Sequence, residues 1–445
     1  MKKTRFFARL VICAAVGGLV IASDPIASAE PMTLEQSVQY AMEHNPAVGR
    51  AKESIRKADA MVNEAFSAGM PKLNVTGTYT RLDQVSTVEF GPESVALNSL
   101  DSKSAELTLS QPIDFFGVIR TGRAAAKKGK LGYAYDYDRV VNDTTLAVAG
   151  SYYSVLRAQR FTEVQEAQVR QLEAHLEQTK SHLQAGTAAP FDVLRAETEV
   201  ANAKHGLISA RNGVELAKAA FNNTIGRDPA ESVELAEPKQ PLHATFSLEQ
   251  CLELAAAARP ELLMMQAQQG LAKDMLYIAR QGSKPQVNVT WLMTQNFTTT
   301  VFNPRDNSWR ALATISMPLY DGGKAKSEVD QARSDTVTAG LAREQALQGV
   351  RLDVRQAYLQ ADESREKIAV AEKALEQARE AMRLADVRYK AGVSTQLEIF
   401  DARAALTAAE TNHVSSVYDY HIALAQLEKA VGGRTQMAKL VGGGQ

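Results

Sequence analysis

The longest heptad pattern in the chain constrains its fold more than any other feature. Between residues 350 and 389, small and apolar residues recur at alternating spacings of four and three, with one serine among them: Val350, Val354, Ala357, Ala361, Ser364, Ile368, Ala371, Leu375, Ala378, Met382, Ala385 and Tyr389. A strict seven-residue repeat keeps facing one partner only if the helices wind around each other. This segment is therefore predicted to be a long helix packed lengthwise against a partner.

A second, shorter stripe beside the first predicts a second neighbour for the same helix. Its members are Val370, Ala374, Ala381, Leu384 and Val387. A helix with a neighbour on each side, and with alanine at many contacts, suits a ring or tube of helices. The helix is expected to stop at Gly392, where the acidic residues Glu398 and Asp401 follow.

The chain contains the same unit twice. Residues 33–46 (TLEQSVQYAMEHNP) match residues 247–260 (SLEQCLELAAAARP), and the turn at 185–186 matches the turn at 391–392. The offset between the copies falls by eight residues between Pro71 and Pro112, so the first copy has a longer loop there. Tandem copies of one unit predict a repeat architecture. We place the boundaries as follows: first repeat 30–232, linker 233–246, second repeat 247–435, tail 436–445.

Each unit changes its periodicity in the same order. Thr33 and Ser247 are expected to cap a first short helix, and a second helix ends before a stretch in which polar and apolar residues alternate. Strands are predicted at about 72–81, 104–112, 285–295 and 308–318, long helices at about 117–185 and 323–391, and return helices at about 189–226 and 395–432.

The predicted strands carry apolar residues on one face and mostly Ser, Thr and Asn on the other. This pattern fits a membrane β-barrel with lipid outside and water inside, and it also fits a half-buried strand in a soluble sheet. No amphipathic helix is left to cover the apolar face, which favours the barrel. Four strands cannot close one, so several chains are expected to pool their strands, and three chains would supply twelve.

Residues 1–29 have the features of an export signal. Lys2, Lys3, Arg5 and Arg9 precede an apolar run, and Ala27 to Ala29 form the cleavage motif. Ile12 stands before Cys13 where a lipoprotein signal needs a small residue, so no lipid anchor is predicted. The mature chain keeps a small negative net charge, and nothing in it indicates nucleic-acid binding. Its one cysteine, Cys251, is predicted to be a buried thiol.

No motif of an enzyme or a metal site is found in the sequence. Gly322-Gly323-Lys324 lacks the spacing of a phosphate-binding loop, and no G-x-S-x-G motif occurs. His175 and His182 are seven residues apart on a predicted helix, which is too far for chelation, so surface or seam roles are expected. We predict no catalytic residue, no cofactor and no metal.

The order of these features resembles the TolC family of outer-membrane efflux proteins. The residues that carry the resemblance are the two repeat openings, SMPLYDGG at 316–323, and the turns HLQAGTAAPFDVLRAE at 182–197 and YKAGVSTQLEIFDARAAL at 389–406. The resemblance implies a homotrimer with a 12-stranded barrel in the outer membrane and a 12-helix tunnel in the periplasm. It also implies docking, through a periplasmic adaptor, to an inner-membrane transporter.

The same resemblance implies site residues at the inner tip of the tunnel. Glu398 and Asp401 match acids that line the closed aperture, and Asp192 and Tyr389 match an acid and a tyrosine that tie neighbouring helices shut. Ser394 stands where the family has a basic residue, so any latch lacks that ion pair. The alternative is a set of solvated acids near a helix N-terminus.

The turns and the barrel supply the remaining predicted residues. Gly186 and Gly392 would lie in the grooves that receive the adaptor, beside their ordinary role of ending a helix. Four aromatic residues are candidates for the interfacial belts of a barrel, with core packing as the alternative: Tyr79, Trp291, Phe297 and Trp309. The function predicted is an outer-membrane exit duct, and the alternative is a structural or adhesive coiled-coil trimer at the cell surface.

Overall fold

A computed structural model describes residues 31–238, 247–299 and 305–437. The predicted signal segment at 1–29, the linker after residue 238 and the tail after residue 437 lie outside these ranges. The helices are α1 (Leu34–His44), α2 (Pro46–Ser67), α3 (Val118–Gln184), α4 (Pro190–Ile225), α5 (Leu248–Ala258), α6 (Pro260–Arg280), α7 (Lys324–Lys390) and α8 (Gln396–Ala430). The strands are β1 (Lys72–Arg81), β2 (Thr87–Phe90), β3 (Glu93–Ala96), β4 (Asp101–Ile113), β5 (Gln286–Asn296) and β6 (Asn307–Ser316).

The two long helices, α3 and α7, set the length of the molecule. Each has 67 residues, which corresponds to about 100 Å at 1.5 Å per residue. The helix α3 forms an antiparallel hairpin with α4, and α7 forms one with α8. The predicted seam of α7 is the buried side of that helix, from Val350 and Val354 to Leu375 and Ala385. None of the helices in the described ranges is both long enough and apolar enough to cross a membrane.

The short helices stack end to end beside the long ones. The end of α4 meets the start of α2, where Asn45 Nδ2 donates to the carbonyl of Thr224 at 2.7 Å. Gly226 follows α4 with a φ of +83°, and a Cβ at this position would lie 2.6 Å from the carbonyl oxygen of His44. Only glycine permits both this conformation and this close approach.

In the second repeat, an arginine takes the place of the asparagine at the same junction. Arg259 precedes α6, and its Nη1 donates to the carbonyl of Ala430 at the end of α8 at 3.0 Å. The same guanidinium contacts Glu261 at 2.8 Å and Asp353 of α7 at 3.1 Å. One buried side chain therefore joins three helices.

The first helix of each repeat has the N-terminal cap predicted at Thr33 and Ser247, and a second hydrogen bond completes it. Thr33 and Ser247 accept from the backbone N–H groups of Gln36 and Gln250, and the side chains of those glutamines accept from the cap backbone in return. Each repeat therefore has a complete capping box, in which glutamine serves in place of glutamate.

Four strands form one antiparallel sheet in the order β1-β4-β5-β6. The register places Leu73 opposite Leu109, Leu109 opposite Trp291, and Trp291 opposite Ala311. The apolar face thus runs without a break from the hairpin of the first repeat to that of the second. Within the described residues, β1 and β6 are the edges of this sheet and have no further strand beside them.

The longer loop of the first repeat contains a second hairpin, formed by β2 and β3. The sequence reading expected one strand pair per repeat, so it missed this hairpin. Each of the two strands has four residues, which is too short for an alternating pattern to stand out.

Buried aromatic residues form the core where α1 crosses α3 and α4. Tyr152 and Phe221 are fully buried there, and the Tyr152 hydroxyl donates to the carbonyls of Met32 and Ala236 at 3.1 and 2.6 Å. Cys251 lies in the equivalent core of the second repeat, where burial raises the pKa of its thiol. This burial confirms the structural role predicted for the cysteine.

Candidate functional site

The turns of the two helical hairpins have the same geometry. Gly186 and Gly392 adopt φ values of +75° and +73°. In each turn the residue after the glycine donates its N–H back into the helix, Thr187 to His182 at 2.8 Å and Val393 to Arg388 at 3.0 Å. The left-handed glycine ends the long helix and reverses the chain. Both glycines are exposed.

Glu398 is held at the start of α8 by three groups. Thr395 caps its backbone N–H, the Ser394 hydroxyl donates to its Oε2 at 2.6 Å, and the Arg388 guanidinium lies 3.7 Å from the same oxygen. Sequence reasoning noted the loss of a basic residue at Ser394 and missed Arg388, which supplies a cation from α7. Asp401 is exposed one turn further along α8.

Asp192 and Tyr389, the two other predicted gate residues, lie close to the hairpin turns. No hydrogen bond joins their side chains. The Asp192 carboxylate accepts from the backbone N–H of Ala189 at 3.0 Å and so caps α4. The Tyr389 ring packs near those of His175 and His182, with centroids 5.6 and 6.3 Å away.

A buried polar cluster lies behind Tyr389, and the sequence reading did not assemble it. Gln396 of α8 has its Nε2 at 3.3 Å from His175 Nε2 of α3 and at 3.3 Å from the Asp192 carbonyl. Arg403, two turns along α8, is buried beside them. The seam role expected for His175 agrees with its burial. His175 belongs to α3 and the other two members to α8, and only the folded hairpins bring them together.

The four aromatic residues proposed for the barrel lie on the sheet at different heights. Tyr79 stands opposite Lys103, and the Lys103 carbonyl accepts from the N–H of Phe297. Tyr79 and Phe297 therefore lie at the same end of the sheet. Trp309 faces Met293 lower on the sheet, and Trp291 lies at the middle of its strand. Tyr79, Phe297 and Trp309 are largely exposed.

The chain has two long helical hairpins, one in each repeat, attached to a four-stranded sheet with one apolar face. This combination defines the class of outer-membrane channel tunnels. The family model for outer membrane efflux proteins matches residues 37–227 and 251–433 of the chain, once in each repeat. The chain belongs to the outer membrane efflux protein family and is an outer-membrane component of an efflux or secretion system.

Individual relatives match this chain over nearly its whole length. The outer membrane protein TolC of Vibrio cholerae is 25% identical over 410 residues, which are 90% of each chain. The pyoverdine export outer membrane protein OpmQ of Pseudomonas aeruginosa is 26% identical over 431 residues, 92% of this chain and 85% of that protein. The crystal structure of the outer membrane protein VceC from Vibrio cholerae has the same fold, with a TM-score of 0.77 at 17% identity, over 90% of this chain and 96% of that one.

Proposed function

We propose that three copies of this chain form a passive exit duct that crosses the outer membrane and continues through the periplasm. The observation that carries this proposal is the sheet with an unbroken apolar face and two edge strands, β1 and β6. Lipid does not tolerate unpaired strand edges, and four strands are too few for closure. Pairing β6 of one copy with β1 of the next satisfies both edges and gives twelve strands in three copies.

The helical part supports the same assembly. The second stripe of α7, predicted to face a neighbour, is exposed along its whole length in the single chain: Val370, Ala374, Ala381, Leu384 and Val387. Exposed apolar rows of this length mark contact surfaces. The α4 side of an adjacent copy also presents exposed apolar residues, among them Phe191, Leu194 and Ile208. Contact between these faces would extend the ring into a tunnel of twelve helices.

The inner tip of the tunnel would hold the gate. Threefold symmetry brings three copies of Glu398 and Asp401 around one opening, and a ring of six carboxylates favours cations. Asp192 and Tyr389 would help to hold the hairpins closed. Opening is proposed as an outward movement of the hairpin around Gly392, with the energy supplied by the transporter.

The exposed turns at Gly186 and Gly392 are proposed to receive a periplasmic adaptor, which links the duct to an inner-membrane pump. Tyr79, Phe297, Trp309 and Trp291 would face outer-membrane lipid. The transporter, rather than the duct, would make most of the choice of substrate. Export of pyoverdine is a property of the relative OpmQ and is not transferred to this chain.

Conductance in planar bilayers tests the duct and its aperture together. The purified protein should run as a trimer and conduct ions with a preference for cations, and the Glu398→Ala/Asp401→Ala double variant should lose most of that preference. Replacing the exposed Glu376 of α7 by Ala is the control. A trimer that does not conduct would support the alternative of a structural coiled coil, and unchanged selectivity in the double variant would remove the aperture assignment.

Crosslinking in cells tests the docking surface. Cysteines placed next to Gly186 and Gly392, at Thr187 and Val393, should trap an adaptor protein. A cysteine at the exposed Glu372, far from both turns, should not. Absence of an adaptor at both turns would contradict the tripartite assembly.

A further inference from the structure

Three polar side chains are buried in the helical seam close to the gate. Arg403 of α8 is 7% exposed, Gln396 of the same helix is 9% exposed, and His175 of α3 is 5% exposed. The other buried residues of this stretch of α8 are Ile399, Leu406 and Ala409. A polar residue at a seam position lowers the stability of helix packing. These polar residues therefore weaken the contact between α8 and α3 just behind the aperture.

Arg403 is a buried cation with an incomplete set of partners. Its Nε and Nη1 atoms are shielded from solvent, and no hydrogen-bond acceptor reaches them among the described residues. Gln396 Oε1 is likewise shielded, and no donor among the described residues reaches it. Asp386 of α7 attracts the guanidinium, but its carboxylate is already 2.6 Å from Lys390 Nζ. A buried charge without a full set of partners is costly, and the cost disappears when water reaches it.

His175 adds a group that can take up a second positive charge at this place. Burial and the positive charge of Arg403 together lower the pKa of its imidazole to about 4, against the attraction of Asp386. The charged and polar groups near the ring are Asp386 and Tyr389 of α7, Arg403 and Gln396 of α8, and His182 of α3 itself. From α4, the Asp192 carbonyl accepts from Gln396.

We propose that Arg403 and His175 are gate-positioning residues, which keep the α7–α8 hairpin in a metastable contact with α3 that protons release. Outward movement of this hairpin would break the His175 to Gln396 contact and let water reach both cations. An apolar seam at the same place would hold the tip closed more firmly. This role rests on the proposed function, because it assumes that the tip is the gate of a duct.

The direction of the pH effect follows from the two states of His175. Above pH 6.5 the imidazole is neutral whether the hairpin is packed or released, and the packed contact keeps its full stability. As the pH falls from 6.5 towards 4, only the released state takes up the proton, so release is favoured. At pH 5 the ratio of released to packed hairpins should rise roughly 30-fold per protomer.

The test compares channel opening at pH 7.5 and pH 5 in planar bilayers. All variants carry Glu398→Ala and Asp401→Ala, so that titration of the aperture acids does not contribute. The parent should open more often at pH 5. His175→Gln, which keeps a hydrogen-bonding side chain beside Gln396, should lose most of this rise, and Arg403→Met should lower opening at both pH values. Arg383→Met, at an exposed arginine of α7, is the control and should behave as the parent.

The outcomes separate this proposal from the proposed function. A parent that conducts, with the same pH response in His175→Gln, would refute the role of these residues and leave the duct intact. A protein that does not conduct at either pH would refute the duct and this role with it. If Arg403→Met fails to form trimers, His175→Gln decides the result, because its pH profile would not change if His175 only filled space.

Discussion

Replacement of Arg259 by alanine should open the junction between α6 and α8. The side chain is 6% exposed and binds the Ala430 carbonyl, Glu261 and Asp353 at once. Removing one partner of a buried ion pair costs ~3–5 kcal/mol, and a charged hydrogen bond contributes ~1.5–3 kcal/mol. Asp353 is 54% exposed and can be hydrated in the variant, so the lower part of the range applies. We expect a loss of about 3 kcal/mol in local stability.

Hydrogen exchange of the trimer in detergent measures this loss where it occurs. Amides at the end of α8 and in the first turns of α6 should exchange roughly 100-fold faster in Arg259→Ala, since each 1.4 kcal/mol corresponds to a factor of ten. Amides near the hairpin turns should keep their rates. The effect is local because the guanidinium contacts only residues at this junction and the facing turn of α7.

Two matched variants make the reasoning refutable. Asn45→Ala removes the equivalent neutral hydrogen bond of the first repeat and the N-terminal cap of α2, and should cost about 2 kcal/mol at its own junction. Arg56→Ala removes an exposed arginine paired with Glu53 and should cost close to nothing. The account would be refuted if Arg259→Ala exchanged no faster than Asn45→Ala, or if Arg56→Ala had a comparable effect.

Three further predictions use the burial and backbone geometry of single residues. Cys251 should react with a maleimide at least tenfold more slowly in the folded protein than in denaturant at the same pH, because burial hides the thiol and raises its pKa; equal rates would contradict the buried core. Gly226→Ala should reduce trimer yield and thermal stability, with a loss above about 1 kcal/mol, because its Cβ would clash with the His44 carbonyl. In Gly186→Ala the new Cβ meets no neighbouring atom, so only backbone strain should be seen. A larger effect at Gly186 than at Gly226 would contradict this account of the two glycines. Tyr152→Phe should cost about 1–2 kcal/mol and speed amide exchange at Met32 and Ala236, with Tyr153→Phe as the control; unchanged exchange would show that the hydroxyl does not fix these segments.

Features that repeat regularly could be read from the sequence. The α7 seam was predictable because a heptad pattern reports burial residue by residue, and Val354 at its centre is fully buried. The four main strands were predictable because each has at least ten residues and contains a stretch in which polar and apolar residues alternate. The apolar face of the sheet then followed from the side-chain period of two.

Features that depend on a single residue could not be read in the same way. Arg259 precedes a proline at the end of a short helix, and the sequence alone gave only the helix boundary, because its partners are 94 and 171 residues away. The cluster of His175, Gln396 and Arg403 likewise brings together residues that are far apart in the sequence. At the proposed gate, the acids at 398 and 401 were singled out from the resemblance, while Arg388 was missed because its pairing with Glu398 depends on how the turn folds back.

The edge strands β1 and β6 also bear on genetics. If each copy completes its neighbour's barrel wall, a defective copy is built into assemblies with intact ones rather than discarded alone. With equal expression and random mixing, only about one assembly in eight would contain three intact chains. Alleles altered at the gate but not at the strands should therefore be dominant over the wild type, and alleles that abolish strand pairing should be recessive.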